Sequence, residues 1–426
     1  MDSVNCVFVG ASRRIFMEMW TIMSLIVQKF GGTSVADAKL IFNVANIITR
    51  AYQEGNDVVV VVSAQGDMTD KLIEKANEIN TSGSKREMDV LMASGEQISI
   101  ALLAMAIEKL GFPVTSLLGW QAGVMTGSNY GSAMITRIDP GRIKKELDKK
   151  NIVIVAGFQG LSQYYDVTTL GRGGSDTSAV GIAVALSADL CQIYTDVEGV
   201  YTADPRFIEN AKKLESISYD EMLELATLGA KVLNNRSVEI AKKHKVELEV
   251  LSSFVEVPGT IVKEDANMEK MLISGVAKDN NVAKISITNI PDAQGWAFRI
   301  FSKLSARDIN IDTILQSAEH DGKRDIFFTV NKDKLDDAKE ALEKYCESAE
   351  GVGLSYDKNV SKISIVGAGM QTHSGVAAKM FEALFTANID IQMIATSEIK
   401  VSVIVSQDSA DEAVRTVHDA FFGAMD

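Results

Sequence analysis

The 426-residue chain is poor in the residues from which metal centres and disulfide frameworks are made, with three cysteines and four histidines. Cys6, Cys191 and Cys346 are far apart and odd in number, so they suggest neither a disulfide framework nor a zinc pattern. A reducing cytoplasm is the expected setting. No histidine precedes His244, which excludes a Ser/His triad or a His-metal centre in the N-terminal half. Proline is scarce at 5 while glycine reaches 31, a balance that suits α/β architecture, where turns need glycine and long helices exclude proline. Positive charge is also in deficit. A net charge of −14 argues against a partner with a phosphate backbone, so no nucleic acid is expected, although a few local donors still suffice for one nucleotide. Residues 1–24 contain no long apolar core and nothing approaching the roughly 20 residues of a membrane helix. They read as an appendage, with Met23 as an alternative start, and no membrane partner is expected.

What is present is a regular alternation. Apolar strand patterns at 25–29, 57–63, 114–118, 152–157 and 190–195 alternate with helical patterns at 36–52, 70–80, 86–110, 176–187, 219–229 and 235–244. The run DVVVVVS (57–63) is what a strand buried on both faces requires. A doubly wound α/β domain over about 25–265 follows. The remainder, 266–426, repeats itself. Lys284 and Lys362 open two KISI strands, Asn310 and Asn388 open two NID motifs, and both pairs lie 78 residues apart. Each copy (about 284–350 and 360–426) reads strand–helix–strand–strand–helix, the ferredoxin-like βαββαβ order, and the two copies are expected to pair into a larger sheet.

Three clusters have the makings of a site. Lys29-Phe30-Gly31-Gly32-Thr33-Ser34 lies where a strand meets a helical pattern. Its glycines let backbone N–H groups approach phosphate, a helix N-terminus adds positive potential, and Lys29 supplies a point charge, although the Walker A spacing is absent. In 168–178 (TTLGRGGSDTS), Arg172 offers a guanidinium suited to a carboxylate, and Asp176 reads equally as a helix N-cap or as a site carboxylate. The stretch 195–206 (TDVEGVYTADPR) is a polar loop with an aromatic, able to take a base and sugar or to serve as a turn.

Together these stretches resemble the signatures of aspartate kinases, in the amino-acid kinase superfamily. SAQGDMTD (63–70), LMASGEQIS (91–99), GAKVL (229–233) and GAGM…H…GVAA…SEIK (367–400) extend the likeness over nearly the whole chain from residue 25. The resemblance implies an amino-acid kinase-type doubly wound domain followed by tandem ACT domains. It also implies ATP-dependent phosphorylation of the L-aspartate side-chain carboxylate, with ATP and Mg²⁺ as cofactors. It marks Lys29, Arg172 and Asp176 as catalytic, and Ser63, Thr69, Glu96 and Arg172 as contacts to aspartate, Glu96 at the α-ammonium and Arg172 at the α-carboxylate. Lys29, Gly31, Gly32, Ser34, Thr195, Asp196, Tyr201, Arg206, Lys231 and Val232 fall at nucleotide contacts. Asp292, Asp312, Gln316, Asn388, Ile389, Ser397 and Glu398 fall around effector sites for lysine and/or threonine. No metal-ligating residue is implied. A homodimer or homotetramer joined through the ACT region is the implied assembly.

An aspartate carboxylate is ionised at pH 7, its reference pKa being about 3.9, so no general base is needed and the lack of histidine costs nothing. Two departures stand out. Asn234-Asn235-Arg236 replaces the family's His-Pro-Arg, implying a retuned loop, and Pro291–Gly295 lacks the usual proline before glycine. Kinases of glutamate, acetylglutamate or a nucleotide are the nearest rivals, disfavoured by GRGGSD, GEQIS and the two repeats. A catalytically dead sensor is disfavoured by Lys29, Arg172 and Asp176, and a kinase–dehydrogenase fusion by length.

Overall fold

The computed structural model describes residues 24–229, 232–264, 273–349, 351–371, 373 and 375–423. The valine run behaves as its composition demands: Val58 to Val62 are all 0% exposed. They lie inside an eight-stranded sheet whose order is Ser216–Ser218, Thr260–Lys263, Leu248–Ser252, Leu190–Thr195, Leu25–Phe30, Asp57–Val62, Ile152–Ala156, Val114–Leu117. All neighbours pair parallel except Leu248–Ser252 with Thr260–Lys263. One face packs Val27, Val59 and Ile193 against helix Gly174–Leu186, and the other packs Phe30, Val60 and Ile154 against helices Ala38–Gln53 and Lys85–Lys109. The helix Lys85–Lys109 is long and apolar enough to cross a membrane by composition alone. Here it is a core helix, with Leu103 and Ile107 in the sheet core and Asp89 and Glu96 buried.

A second sheet in this domain had no counterpart in the sequence pattern: Ile135–Ile138, Val124–Thr126, Gln159–Leu161 and Val167–Thr169. Its strands have three or four residues, too short for a periodic signal. It delivers Thr169 to the mouth of the Gly171–Gly174 turn.

The two C-terminal copies form separate four-stranded sheets, not the joined sheet expected from the repeat. In the first, Gly353–Asp357 pairs with Val282–Pro291 and fills the outer position. In the second that position is taken by Gly275–Asp279, a strand lying before the first copy, paired with Val360–Val366. The first module is thus inserted between two strands of the second.

The 78-residue register is also corrected. It holds for the KISI strands, but the helices are N-capped by Gly295 and Gly375, both in the left-handed region and 80 residues apart. After each helix a left-handed residue, Asp308 or Asn388, turns the chain, and Ile309 and Ile389 donate back to Leu304 and Leu384. Asn388-Ile389 therefore corresponds to Asp308-Ile309, and the match to Asn310-Ile311 is coincidental.

Candidate active site

The first and third clusters lie at the C-terminal ends of the central parallel strands Leu25–Phe30 and Leu190–Thr195, where ligands bind in open α/β sheets, and the second joins the small sheet's strand Val167–Thr169 to helix Gly174–Leu186. Lys29 precedes the last residue of Leu25–Phe30 and is 9% exposed. Its Nζ lies 2.7 Å from Asp176 Oδ1. That oxygen has no hydrogen-bond partner among the described residues, so the contact is an ion pair without a directed hydrogen bond. Asp176 is not the helix N-cap. Gly173 holds that position, and Asp176 sits in the first turn of Gly174–Leu186, where the helix dipole favours an anion.

The glycine pair after Lys29 does not lead directly into the long helix. A 3₁₀ turn, Gly32–Val35, intervenes, and helix Ala38–Gln53 is capped by Asp37, which accepts from Leu40 N–H. The expected helix N-terminus at this loop is therefore already satisfied by a carboxylate. Gly32 is required for packing: a Cβ there would lie 2.5 Å from Ala64 O. Gly66 N–H donates to Gly32 O, locking the Ser63–Gly66 turn onto the Lys29 loop. Ser34 is buried, its hydroxyl 2.8 Å from that of Ser253, which in turn donates to Thr195 O.

Glu96, on Lys85–Lys109, is 3% exposed. Its Oε1 accepts from Ala64 N–H at 3.0 Å, while Oε2 has no partner among the described residues. Burial pushes its carboxyl up to about 7, against the pull of the Ala64 N–H. Ser63 and Thr69 are half-buried in the adjoining turn and helix start. Contacts thus run continuously from Glu96 through Ala64 and Gly32 to the Lys29 loop, to Asp176, and back along the chain to Arg172. The Arg172 side chain is exposed and makes no ion pair among the described residues.

The third loop is partly occupied with itself. Thr195 Oγ1 donates to Asp196 at 3.1 Å, Tyr201 OH donates to Glu198 at 3.3 Å, and Arg206 forks onto Asp204, Nη2 to Oδ2 being 2.7 Å. Val232 is half-buried against the sheet core, and Lys231 lies outside the described residues. No cluster of three or more His, Cys, Asp or Glu suited to a metal occurs among the described residues.

Several residues in this region had gone unremarked in the sequence. Asp89, 0% exposed, accepts from Gly131 N–H, Thr169 N–H and Thr169 Oγ1, the last at 2.7 Å. It anchors the strand that leads to Arg172. Phe158 has φ 67°, unusual for a bulky side chain, with its N–H held by Ser178 Oγ. Nothing local marks either residue.

Among the effector candidates, Asp292 is paired with Arg324 at 2.6 Å and Asp312 with the buried Lys362 at 2.6 Å. Gln316 is exposed at the end of Ile311–Gln316. Asn388 is exposed and Ile389 is in the second module's core. Ser397 and Glu398 form the turn before Lys400, with Ser397 N–H donating to Lys400 O. A cleft of about 390 Å³ between the modules is lined by Lys284, Leu315, Phe327 and 391–394.

Residues 24–252 match the amino acid kinase family, and residues 286–347 and 363–421 match ACT domains. The aspartokinase of Mycolicibacterium smegmatis is 49% identical over 408 residues, which is 94% of this chain and 96% of that protein. The aspartate kinase from Synechocystis superposes with a TM-score of 0.54 at 42% identity, over 93% of this chain and 69% of its own. E. coli aspartokinase III, solved with aspartate and ADP, gives a TM-score of 0.76 at 23% identity, over 93% of this chain and 100% of its own. The same enzyme has been solved with lysine and aspartate.

Proposed function

Because the chain belongs to the amino acid kinase family, as an aspartokinase with two ACT domains, we propose that it transfers the γ-phosphoryl group of ATP to the L-aspartate side-chain carboxylate. The product is then 4-phospho-L-aspartate, the first intermediate toward lysine, threonine and methionine. The observation carrying this reading is the buried Glu96 Oε2, an acceptor without a donor among the described residues, on a carboxyl that burial pushes up to about 7. A substrate ammonium placed there would both satisfy it and restore its charge. Arg172 takes the α-carboxylate, and the pair selects an α-amino acid.

The reacting carboxylate is already an anion, so the barrier is the approach of one anion to another. Lys29, oriented by Asp176, neutralises charge on the transferring group, aided by the N–H groups of the Gly31–Ser34 turn. Thr195, Asp196, Tyr201, Arg206, Lys231 and Val232 hold the nucleotide, which requires Arg206 to exchange Asp204 for it. Mg²⁺, bound together with the nucleotide, would supply screening of the phosphate charge; the described residues hold no cluster of three or more His, Cys, Asp or Glu for it.

Regulation by lysine and/or threonine is part of the same proposal, with Asp292, Asp312, Gln316, Asn388, Ile389, Ser397 and Glu398 around the effector sites. So is a homodimer or homotetramer through the ACT region, where Phe298 is 76% exposed. A cytoplasmic setting accords with Cys191 and Cys346 being buried free thiols.

The test is kcat/KM for aspartate against pH, which reports ionisations of the free enzyme. Glu96 must be ionised to bind an ammonium. The value should therefore fall about tenfold per pH unit below about 7 and level off above it. Glu96→Gln should abolish that inflection and lower kcat/KM on the order of 10²-fold. A flat wild-type profile, with Glu96→Gln unaffected, contradicts the reading. A panel of amino-acid inhibitors then identifies the effector, and no response to any of them removes the regulatory half.

A further inference from the structure

The Asn234-Asn235-Arg236 stretch, singled out in the sequence, lies against the loop that carries Arg172. Asn234 is the N-cap of helix Asn235–His244, its Oδ1 accepting from Arg236 N–H at 3.0 Å and from Thr177 Oγ1 at 3.4 Å. Its Nδ2 donates to Arg172 O at 3.1 Å. The next residue, Gly173, has φ 73°, and a Cβ on it would lie 2.2 Å from Asn234 Nδ2. The amide therefore rests directly on the peptide that follows Arg172, and only glycine leaves room for it. From the same helix Arg236 ties the start of that turn to a neighbouring loop, Nη1 donating to Leu170 O at 2.7 Å and Nη2 to Ala133 O at 3.1 Å.

The guanidinium of Arg172 has no ion-pair partner of its own among the described residues. What is held is its backbone: the Arg172 carbonyl accepts from Asn234, which fixes the point from which the side chain departs. We infer that Asn234 is a positioning residue for Arg172, fixing the peptide that aims the guanidinium and so setting recognition of the substrate's α-carboxylate. The inference rests on the reading of Arg172 as the carboxylate clamp.

Asn234→Asp separates this role from helix capping. Aspartate is as good an N-cap and can accept from Arg236 N–H and Thr177 Oγ1, but it cannot donate to Arg172 O. Asn234→Ser likewise caps and lacks the amide donor, and it adds no charge beside Arg172. Full-length enzyme carrying either change should keep its melting temperature, its kcat and its KM for ATP, while KM for aspartate rises about tenfold. In an Arg172→Lys background the same changes should alter KM for aspartate less than about twofold, because they act through the arginine.

The positioning role is overturned if both variants leave KM for aspartate unchanged in the wild-type background. It is equally overturned if they raise KM for ATP as much, or if their cost persists in full beside Arg172→Lys. If Arg172→Lys alone leaves KM for aspartate unaltered, the clamp reading fails and takes the inference with it. If Arg172→Lys raises KM while the Asn234 variants do not, only the inference fails.

Discussion

The two ACT domains share an element order and differ in what they hold on to. The second is built into the catalytic domain. Its sheet uses Gly275–Asp279, the strand arriving from the catalytic side, and its core includes Ala203 and Ile208 from the loop that follows Tyr201. Thr202 Oγ1 lies 2.9 Å from Nε2 of the fully buried His418, Asn210 donates to Asp419, and Lys278 lies 4.4 Å from the Phe207 ring centroid. Glu221, a catalytic-domain carboxylate, accepts from Ser274 Oγ at 2.7 Å and Ala368 N–H at 3.0 Å. Despite burial these bonds hold its carboxyl below the usual range.

The first domain has no such attachment. Among the described residues its inter-domain hydrogen bonds and ion pairs go to the second domain, as in Lys362–Asp312 and Lys332–Gln407. Within one chain, its polar connections to the nucleotide loop therefore run through the second domain. The second domain acts as part of the catalytic body, and the first as an insert riding on it.

The harshest test of that difference is a chain ended after Glu264. Ala203, Ile208 and Thr202 would be exposed together, and the account expects insoluble or inactive protein. A soluble, active fragment would break the comparison.

Next in size is excision of the first domain. Asp279 and Lys362 are direct partners in an antiparallel pair, so a three-residue glycine turn can replace 282–358. Kinase activity should stay within about threefold of wild type, since no hydrogen bond or ion pair among the described residues joins the excised residues to the catalytic domain, while inhibition by amino acids is lost. The apolar cluster of Val360, Met393 and Ile404 becomes exposed, so the melting temperature should drop by several degrees. Collapse of activity on excision would show that the first domain is not a mere insert.

The smallest effect is His418→Phe, which keeps the stack on Phe422 and removes the bond to Thr202. Loss of one hydrogen bond beside the nucleotide loop should raise KM for ATP about three- to tenfold and leave KM for aspartate alone. An equal change in both would mean that the contact is only structural.

Much of this was legible in the sequence, for physical reasons. Buried parallel strands such as Asp57–Val62 announce themselves as uninterrupted β-branched runs, and the charge chemistry of Lys29 and Arg172 shows in their residue types beside glycines. Glu96 came only through family likeness, because a glutamate inside an Ala-rich helix carries no local sign of burial. Asp89, Phe158 and Asn234 act through partners 20 to 80 residues away, as in Phe158 with Ser178 and Asp89 with Thr169, and no local pattern records that. Gly275–Asp279 was missed because five mixed residues fall below any periodic signal. The repeat misled at Asn388, where a three-letter match outweighed the left-handed turn that actually corresponds.

The central claim, phosphoryl transfer to aspartate neutralised by Lys29, is tested most directly by trapping the acyl phosphate with hydroxylamine. Wild type should yield aspartyl hydroxamate in step with ADP release. Lys29→Met alone would leave Asp176 buried without its cation, so the paired variant Lys29→Met/Asp176→Asn is measured beside it. Both should produce hydroxamate at least about 10³-fold more slowly, the paired variant with an unchanged melting transition. Hydroxamate formation at a near-normal kcat in the folded paired variant would contradict the account.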